Sequence, residues 1–245
     1  MDSRKNLLNE FFSSLDRAKA KIELRENSFD DLDISNFNFK LSYGEFKDGV
    51  LKYKLSGISL ECFEHLIDHH LRGKINLCAY FNSQDSCLFA LNLDDNSSKK
   101  TNDVKVAALL FIKELQKFNI VPLVIKSGHG YHLWCRLSSA VKNETLRQFT
   151  AALKNLILLE MFKLGASPEY INCTTYPRLC SDDISIRLFG GIHSKTGQFS
   201  WIVTAIDSED TILSVDDSWA MFEWYISNCL VSIGDFNKAL KVIAN

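Results

Sequence analysis

The run Ile186-Arg187-Leu188-Phe189-Gly190-Gly191-Ile192-His193-Ser194-Lys195-Thr196-Gly197 constrains this chain more than any other segment. It sets an arginine inside an apolar, strand-forming stretch and breaks that stretch at a glycine pair. A histidine and a lysine then follow on alternate positions. A guanidinium is expensive to bury without an anionic partner. Three donors with no acceptor between them suit a polyanion such as a triphosphate. The plain alternative is a surface loop in which Arg187 pairs with Asp182 or Asp183.

The chain has 245 residues, enough for one sizeable core or one core with a small appendage. With 3 Pro and 11 Gly, it leaves little room for low-complexity segments. No apolar run is long enough to span a bilayer, and residues 1–6 lead into an amphipathic pattern rather than a signal-peptide core. No membrane association is expected. The formal net charge is −2, so any contact with nucleic acid must use a local patch. Seven cysteines, odd in number and without C-x-x-C spacing, read as reduced core residues of an intracellular protein, cytoplasmic or nuclear.

Leu7, Leu8, Phe11, Phe12, Leu15 and Ala18 recur at helical spacing and predict an N-terminal amphipathic helix. Residues 27–38 read as a loop and 50–55 as a strand. Ser59 caps a helix that stops near Gly73. Strands are expected at 75–81, 87–93, 121–125, 131–137, 184–189 and 199–206. Helices are expected at 102–118, with Val106, Leu109, Leu110 and Leu115 inward, at 143–164, and over most of 216–243 with a break at Gly234. Sheet with helices packed on it, strands partly antiparallel, is an α+β or mixed α/β architecture. The expected organisation is an appendage over 1–58, a core over 59–215 and a C-terminal helical segment over 216–245.

Two further motifs carry chemistry. In Leu91-Asn92-Leu93-Asp94-Asp95 the strand alternation turns Asn92 and Asp94 to one face and the leucines to the other. Such an i, i+2 pair of oxygen donors can hold a divalent cation, although the amide of Asn92 brings no negative charge. The competing account is a solvated turn at Asp94, Asp95 and Asn96. In Ser127-Gly128-His129-Gly130-Tyr131-His132 two glycines supply the freedom of a hairpin turn. Its amides and the Ser127 hydroxyl suit phosphate, and His132 shares a strand face with Trp134. His65 and His69, i and i+4 near Cys62, His70 and Cys78, raise a zinc alternative. Without H-E-x-x-H or paired C-x-x-C, a solvated helix end is the preferred account and no zinc is expected.

Taken in order, Asn92-Leu93-Asp94, the Ser127–His132 hairpin and the basic strand from Arg187 to Gly197 resemble the archaeo-eukaryotic primase superfamily. Tyr176-Pro177-Arg178-Leu179 is similar to the segment before the last motif of primase catalytic subunits. His70-Leu71-Arg72-Gly73, placed before the acidic strand, is similar to primase-polymerases of TOTE-type conflict systems. The resemblance spans roughly Leu66 to Ile206. It implies a primase-polymerase-like core, with a central, mostly antiparallel sheet flanked by helices. It also implies two-metal nucleotidyl transfer with Mg²⁺ or Mn²⁺, from nucleoside triphosphates on a single-stranded DNA or RNA template. By position, Asn92, Asp94 and Asp95 fall at the catalytic acids, with Asp94, Asn92, Asp182 and Asp183 as metal ligands. Ser127, Gly128, His132, Arg187, His193 and Lys195 fall at the nucleotide contacts.

Asn92 departs from the family's first acid. Near the Tyr-Pro-Arg segment, Asn172, Cys173 and Cys180 are not carboxylates. The phosphate half of the site is therefore expected to be intact and the metal half not. The leading expectation is a primase-polymerase-like domain whose transfer step is impaired by Asn92. The alternative is an inactive primase-like subunit or sensor that binds nucleotides or nucleic-acid ends in a replication, helicase or defence complex. All of this requires the three segments to fold side by side.

Overall fold

The computed structural model describes residues 2–24, 32–47, 50–81, 84–95, 102–128, 130–178, 185–193, 197–207 and 209–244. Asp182, Asp183 and Lys195, together with His129 and Cys180, lie outside these residues. In chain order the elements are α1 (Asp2–Phe11), β1 (Leu15–Leu24), β2 (Lys40–Lys47), β3 (Val50–Ser56), α2 (Leu60–Leu71), β4 (Asn76–Phe81) and β5 (Asp85–Asp95). Next come α3 (Asp103–Gln116), β6 (Leu123–Lys126), β7 (Gly130–Lys142), α4 (Asn143–Lys163) and β8 (Ile171–Tyr176). The chain finishes with β9 (Ile186–Arg187), β10 (Trp201–Ala205), β11 (Thr211–Ile212), α5 (Val215–Asn228) and α6 (Ile233–Ile243). The architecture is mixed α+β, and it is built on two antiparallel sheets rather than one. No helix among the described residues is long and apolar enough to cross a membrane.

Residues 1–83 and 181–200 make one compact unit, and residues 84–180 with 201–245 make the other. The first unit holds a five-stranded sheet in the order β2-β3-β1-β4-β9. Its helix α1 stops at Phe11, short of the expected Ala18, because the sequence from Lys19 changes period. Ala20, Ile22 and Leu24 alternate with Lys19, Lys21 and Glu23, and the strand pairs with β3 on one side and β4 on the other. Helix α2 begins where Ser59 accepts from the amide of Cys62 at 3.1 Å, and it buries Cys62, Phe63, Leu66 and Ile67.

The end of α2 is not solvated as expected: His69 is 5% exposed and His70 is fully buried. Nδ1 of His70 accepts from the amide of Leu77 at 3.1 Å, and its Nε2 donates to the carbonyl of Phe189 at 3.1 Å. A Cβ on Gly191 would fall 2.0 Å from the His70 ring, and one on Gly73 would fall 2.7 Å from Ile192. Gly191 is therefore required because the His70 ring packs against it, and Gly73 because it sits at φ +71°. His70-Leu71-Arg72-Gly73 and Phe189-Gly190-Gly191-Ile192 form one packed piece, 119 residues apart at the His70–Phe189 bond.

The second unit holds a six-stranded sheet in the order β11-β10-β6-β7-β5-β8. One face carries Phe89, Leu91, Leu93, Tyr131, Leu133 and Cys173 into a core shared with α3, α4 and α6. On α3 the inward stripe is Val104, Ala107, Ala108, Phe111 and Leu115, which shares only Leu115 with the expected set. Val106 and Leu110 pack at its margin, and Leu109 is exposed. Helix α4 follows the expected range and supplies Leu146, Phe149, Leu153, Ile157 and Met161. The C-terminal helical stretch breaks before Gly234, at Val231, which bridges to Leu137. Ser232 then caps α6 by accepting from the amide of Asp235 at 3.0 Å.

Burial pushes His70 down from 6.5 to about 4, against the backbone hydrogen bonds that favour its charged form. The unfolded chain therefore binds the extra proton first. Stability conferred by the neutral ring is complete above pH 6.5 and is lost as pH falls toward 4. Urea denaturation at a series of pH values should show wild type losing up to about 3 kcal/mol more than His70→Gln across that window. Parallel pH curves for the two proteins would contradict the assignment.

Candidate functional site

The site is set by the register of the second unit's sheet. Asn92 on β5 lies opposite His132 on β7 and Thr174 on β8, and Asp94 lies opposite Gly130 and Asn172. Ile125 on β6 is also opposite His132. Cross-strand partners share a face, so Asn92, Asp94, His132 and Thr174 gather on the face away from the helical core. Asp95, one position on, turns to the other face. Ser127 follows β6 two residues after Ile125, and its amide donates to the Gly130 carbonyl at 2.9 Å, which closes the hairpin. Gly128 sits at φ +81°, a conformation that glycine adopts without strain.

Glycine at position 130 is required for a different reason. A Cβ there would lie 1.7 Å from the Leu93 carbonyl oxygen and 3.0 Å from Cα of Asp94. The hairpin can only approach the acidic strand end this closely because no side chain intervenes.

The amide of Asn92 is committed to its neighbour: Nδ2 donates to Oδ2 of Asp94 at 2.7 Å. Its Oδ1 is buried and has no hydrogen-bond partner in the structure. Oγ of Ser127, a residue 3% exposed, is likewise buried without a partner. Such groups cost about 1–3 kcal/mol each when unsatisfied.

The turn is held from behind by a group that the sequence reading missed. The Tyr131 hydroxyl donates to the Asp210 carboxylate at 2.7 Å, Lys105 Nζ lies 3.1 Å from it, and Lys126 Nζ also bonds to it. Lys126 and Tyr131 flank the Ser127–Gly130 turn on either side, so Asp210 clamps both arms of the hairpin. Burial alone would raise the Asp210 carboxyl. The bonds from Lys126, Tyr131 and Lys105 outweigh it and hold the group below its ordinary value.

On the first unit, Arg187 of β9 lies opposite Cys78 of β4. Nε and Nη1 of Arg187 are buried without partners. His193 is 8% exposed in the turn that follows; its amide donates to the Gln198 carbonyl at 2.7 Å and its carbonyl accepts from Gly197 at 2.8 Å. The structure thus gathers Asn92, Asp94, Ser127 and His132 on one unit and Arg187 and His193 on the other. His65 and His69 hydrogen-bond to each other through their Nε2 atoms at 3.1 Å. Among the described residues no three His, Cys, Asp or Glu side chains converge as a metal site.

Residues 56–167 match the family model described as the TOTE conflict system, archaeo-eukaryotic primase domain. This segment of the chain is similar to the archaeo-eukaryotic primase domain of those systems. It contains His70, Asn92, Asp94, Ser127 and His132 and ends before Arg187. No curated protein matches the chain. Among solved structures, the polymerase domain of Mycobacterium tuberculosis ligase D in complex with DNA is similar over 99% of this chain and 86% of its own. The identity is 12% and the TM-score 0.39. The primase RepB′ is similar over 98% of this chain and 67% of its own, at 13% identity and a TM-score of 0.36. At these scores neither likeness carries an argument.

Removing the charge of Asp210 leaves two lysines facing a neutral amide. Asp210→Asn should cost about 2–3 kcal/mol at neutral pH by denaturant unfolding. Because the folded carboxyl sits below its ordinary value of 3.8, its contribution is present above that value and lost as pH falls through the folded one. The gap between wild type and variant should therefore close in acid.

Proposed function

We propose that this domain binds a nucleoside triphosphate and single-stranded nucleic acid, and that Asn92 holds its nucleotidyl transfer at a low level. The reading is carried by buried donors without protein partners: the Ser127 hydroxyl beside the Asn92–His132 row, and Nε and Nη1 of Arg187. A buried guanidinium with open donors suits an anion, and phosphate oxygens accept from hydroxyl, imidazole and guanidinium alike. Ser127, Gly128 and His132 are the proposed phosphate contacts of the second unit, and Arg187 and His193 are the proposed anion contacts of the first, each unit taken by itself; Lys195, expected beside them, lies outside the described residues.

The superfamily implies Mg²⁺ or Mn²⁺, and the described donors do not fit a pair of such ions. Asp94 is the carboxylate on the relevant face, and one of its oxygens already accepts from Asn92. The residue opposite Asp94 is the amide Asn172, and Asp95 points to the other face. Two hard cations demand more negative oxygen than this set provides. What the chain's own residues do is narrower. The Ser127 hydroxyl holds phosphate, His132 donates to it, and Asn92 keeps Asp94 in place.

Two measurements test the reading. Calorimetry with a non-hydrolysable nucleoside triphosphate should show binding that Ser127→Ala and Arg187→Ala each weaken about 10- to 100-fold. Absence of binding by wild type, or full binding by both variants, overturns it. In primer synthesis on single-stranded DNA with Mn²⁺, Asn92→Asp should exceed wild type at least about tenfold, because it restores a second carboxylate at i, i+2. Equal activity in the two proteins would remove Asn92 as the limiting residue.

A further inference from the structure

The chain is net acidic, yet cations collect on one face of the first unit's sheet. The register sets Ser42, Lys54, Lys21, Cys78 and Arg187 side by side, one from each of the five strands. The neighbouring row is Lys40, Ser56 and Lys19. Cross-strand partners point to the same side, so Lys19, Lys21, Lys40, Lys54 and Arg187 share one face. The opposite face, with Ala20, Ile22, Leu55, Leu77 and Ala79, is buried. At about 4.8 Å per strand the row from Arg187 to Ser42 runs about 19 Å across the sheet. Its far end opens into a cavity of about 220 Å³ lined by Lys19, Ser42, Lys54, Leu55, Ser56 and Tyr80. Among the described residues, Glu23 lies 3.5 Å from Lys21 and Asp16 lies 3.9 Å from Lys19.

We infer that this cavity, with Lys19, Lys54 and Lys40 around it, forms the seat for a single-stranded nucleic acid, gripped through its phosphodiester backbone; Cys78 and the Arg187 guanidinium nitrogens, at the other end of the row, are buried and take no part. The inference deepens the proposed function, from which it takes the class of partner. Lys19 and Lys54 supply charge, and the Ser42 and Ser56 hydroxyls supply neutral donors of the kind that contact phosphate oxygens. Among the described residues no exposed aromatic ring shares these two rows, since Tyr80 is 7% exposed. The contact is therefore electrostatic and indifferent to base sequence. An acidic protein segment would meet the same charge but would not need the cavity's hydroxyls.

The test is anisotropy of a labelled single-stranded oligodeoxynucleotide of mixed sequence, titrated with the full chain from about 50 to 200 mM salt. The double variant Lys19→Gln/Lys54→Gln should bind about 5- to 20-fold more weakly at the upper salt. It should also flatten the log–log salt slope by about 1.4, two single-strand phosphate contacts having been lost. Lys54→Arg should retain binding, and circular dichroism should show each variant folded. Wild-type affinity in the double variant, or no oligonucleotide binding by wild type, overturns the inference. Displacement by polyglutamate as readily as by unlabelled oligonucleotide does so too, and points to an acidic protein instead. Triphosphate calorimetry on the double variant separates the two readings. Unchanged triphosphate binding with lost strand binding places the effect on this surface. Loss of triphosphate binding in wild type alone brings down the nucleotide reading.

Discussion

The close approach of β7 to β5 at Gly130 is the constraint on which the site depends. With no Cβ in the way, the Leu93 carbonyl sits against the hairpin, and the register brings Asn92 opposite His132 and Asp94 opposite Gly130. A slip of one residue would exchange the two faces of a strand. Asn92 and Asp94 would then enter the core now filled by Leu91, Leu93, Tyr131 and Leu133. Packing of that core thus enforces the arrangement of polar groups on the other side. Asp210 adds a second restraint by tying Lys126 and Tyr131 to one carboxylate, so the Ser127 turn is fixed at both ends.

The first unit achieves a comparable result with an imidazole. His70 accepts from β4 and donates to the turn after β9; protonation of its Nδ1 removes the first bond and keeps the second. In sequence the H-L-R-G segment and the F-G-G-I segment look like two recognition motifs. In the fold His70 and Gly191 form a joint, and Gly73 packs against Ile192. Half of what reads as functional signature is therefore architecture that delivers Arg187 and His193 to their positions. A histidine conspicuous in a motif need not touch a ligand; here its burial and its two backbone partners account for it.

Local signals were legible where the chemistry is local. The alternation of β5, the glycine hairpin between β6 and β7, the Ser59 cap and the apolar run of α4 all stand in the sequence as they stand in the fold. Strands β1, β2 and β8 did not, because their partners are remote and their patterns short or mixed. Leu15 and Ala18 continue a helical spacing by coincidence, and only pairing with β3 and β4 makes that segment a strand. Asp210 gave no signal at all, since its lysines and tyrosine come from three other elements. The cationic face is invisible for the same reason: Lys21 and Lys54 are ordinary residues until the register lines them up with Arg187.

The first unit is discontinuous, and that has a consequence for how the chain is made. Its last strand, β9, pairs with β4 across roughly a hundred intervening residues. Closing a loop of that length costs about 4 kcal/mol of chain entropy before any contact rewards it. During vectorial synthesis, α2 and β4 emerge long before the Phe189 carbonyl that caps His70. The nascent first unit therefore waits with an open sheet edge while the ribosome completes β5 through β8. A high contact order of this kind slows folding and leaves an unpaired strand exposed in the interval, so the efficiency of this protein's biogenesis rests on the arrival of one two-residue strand.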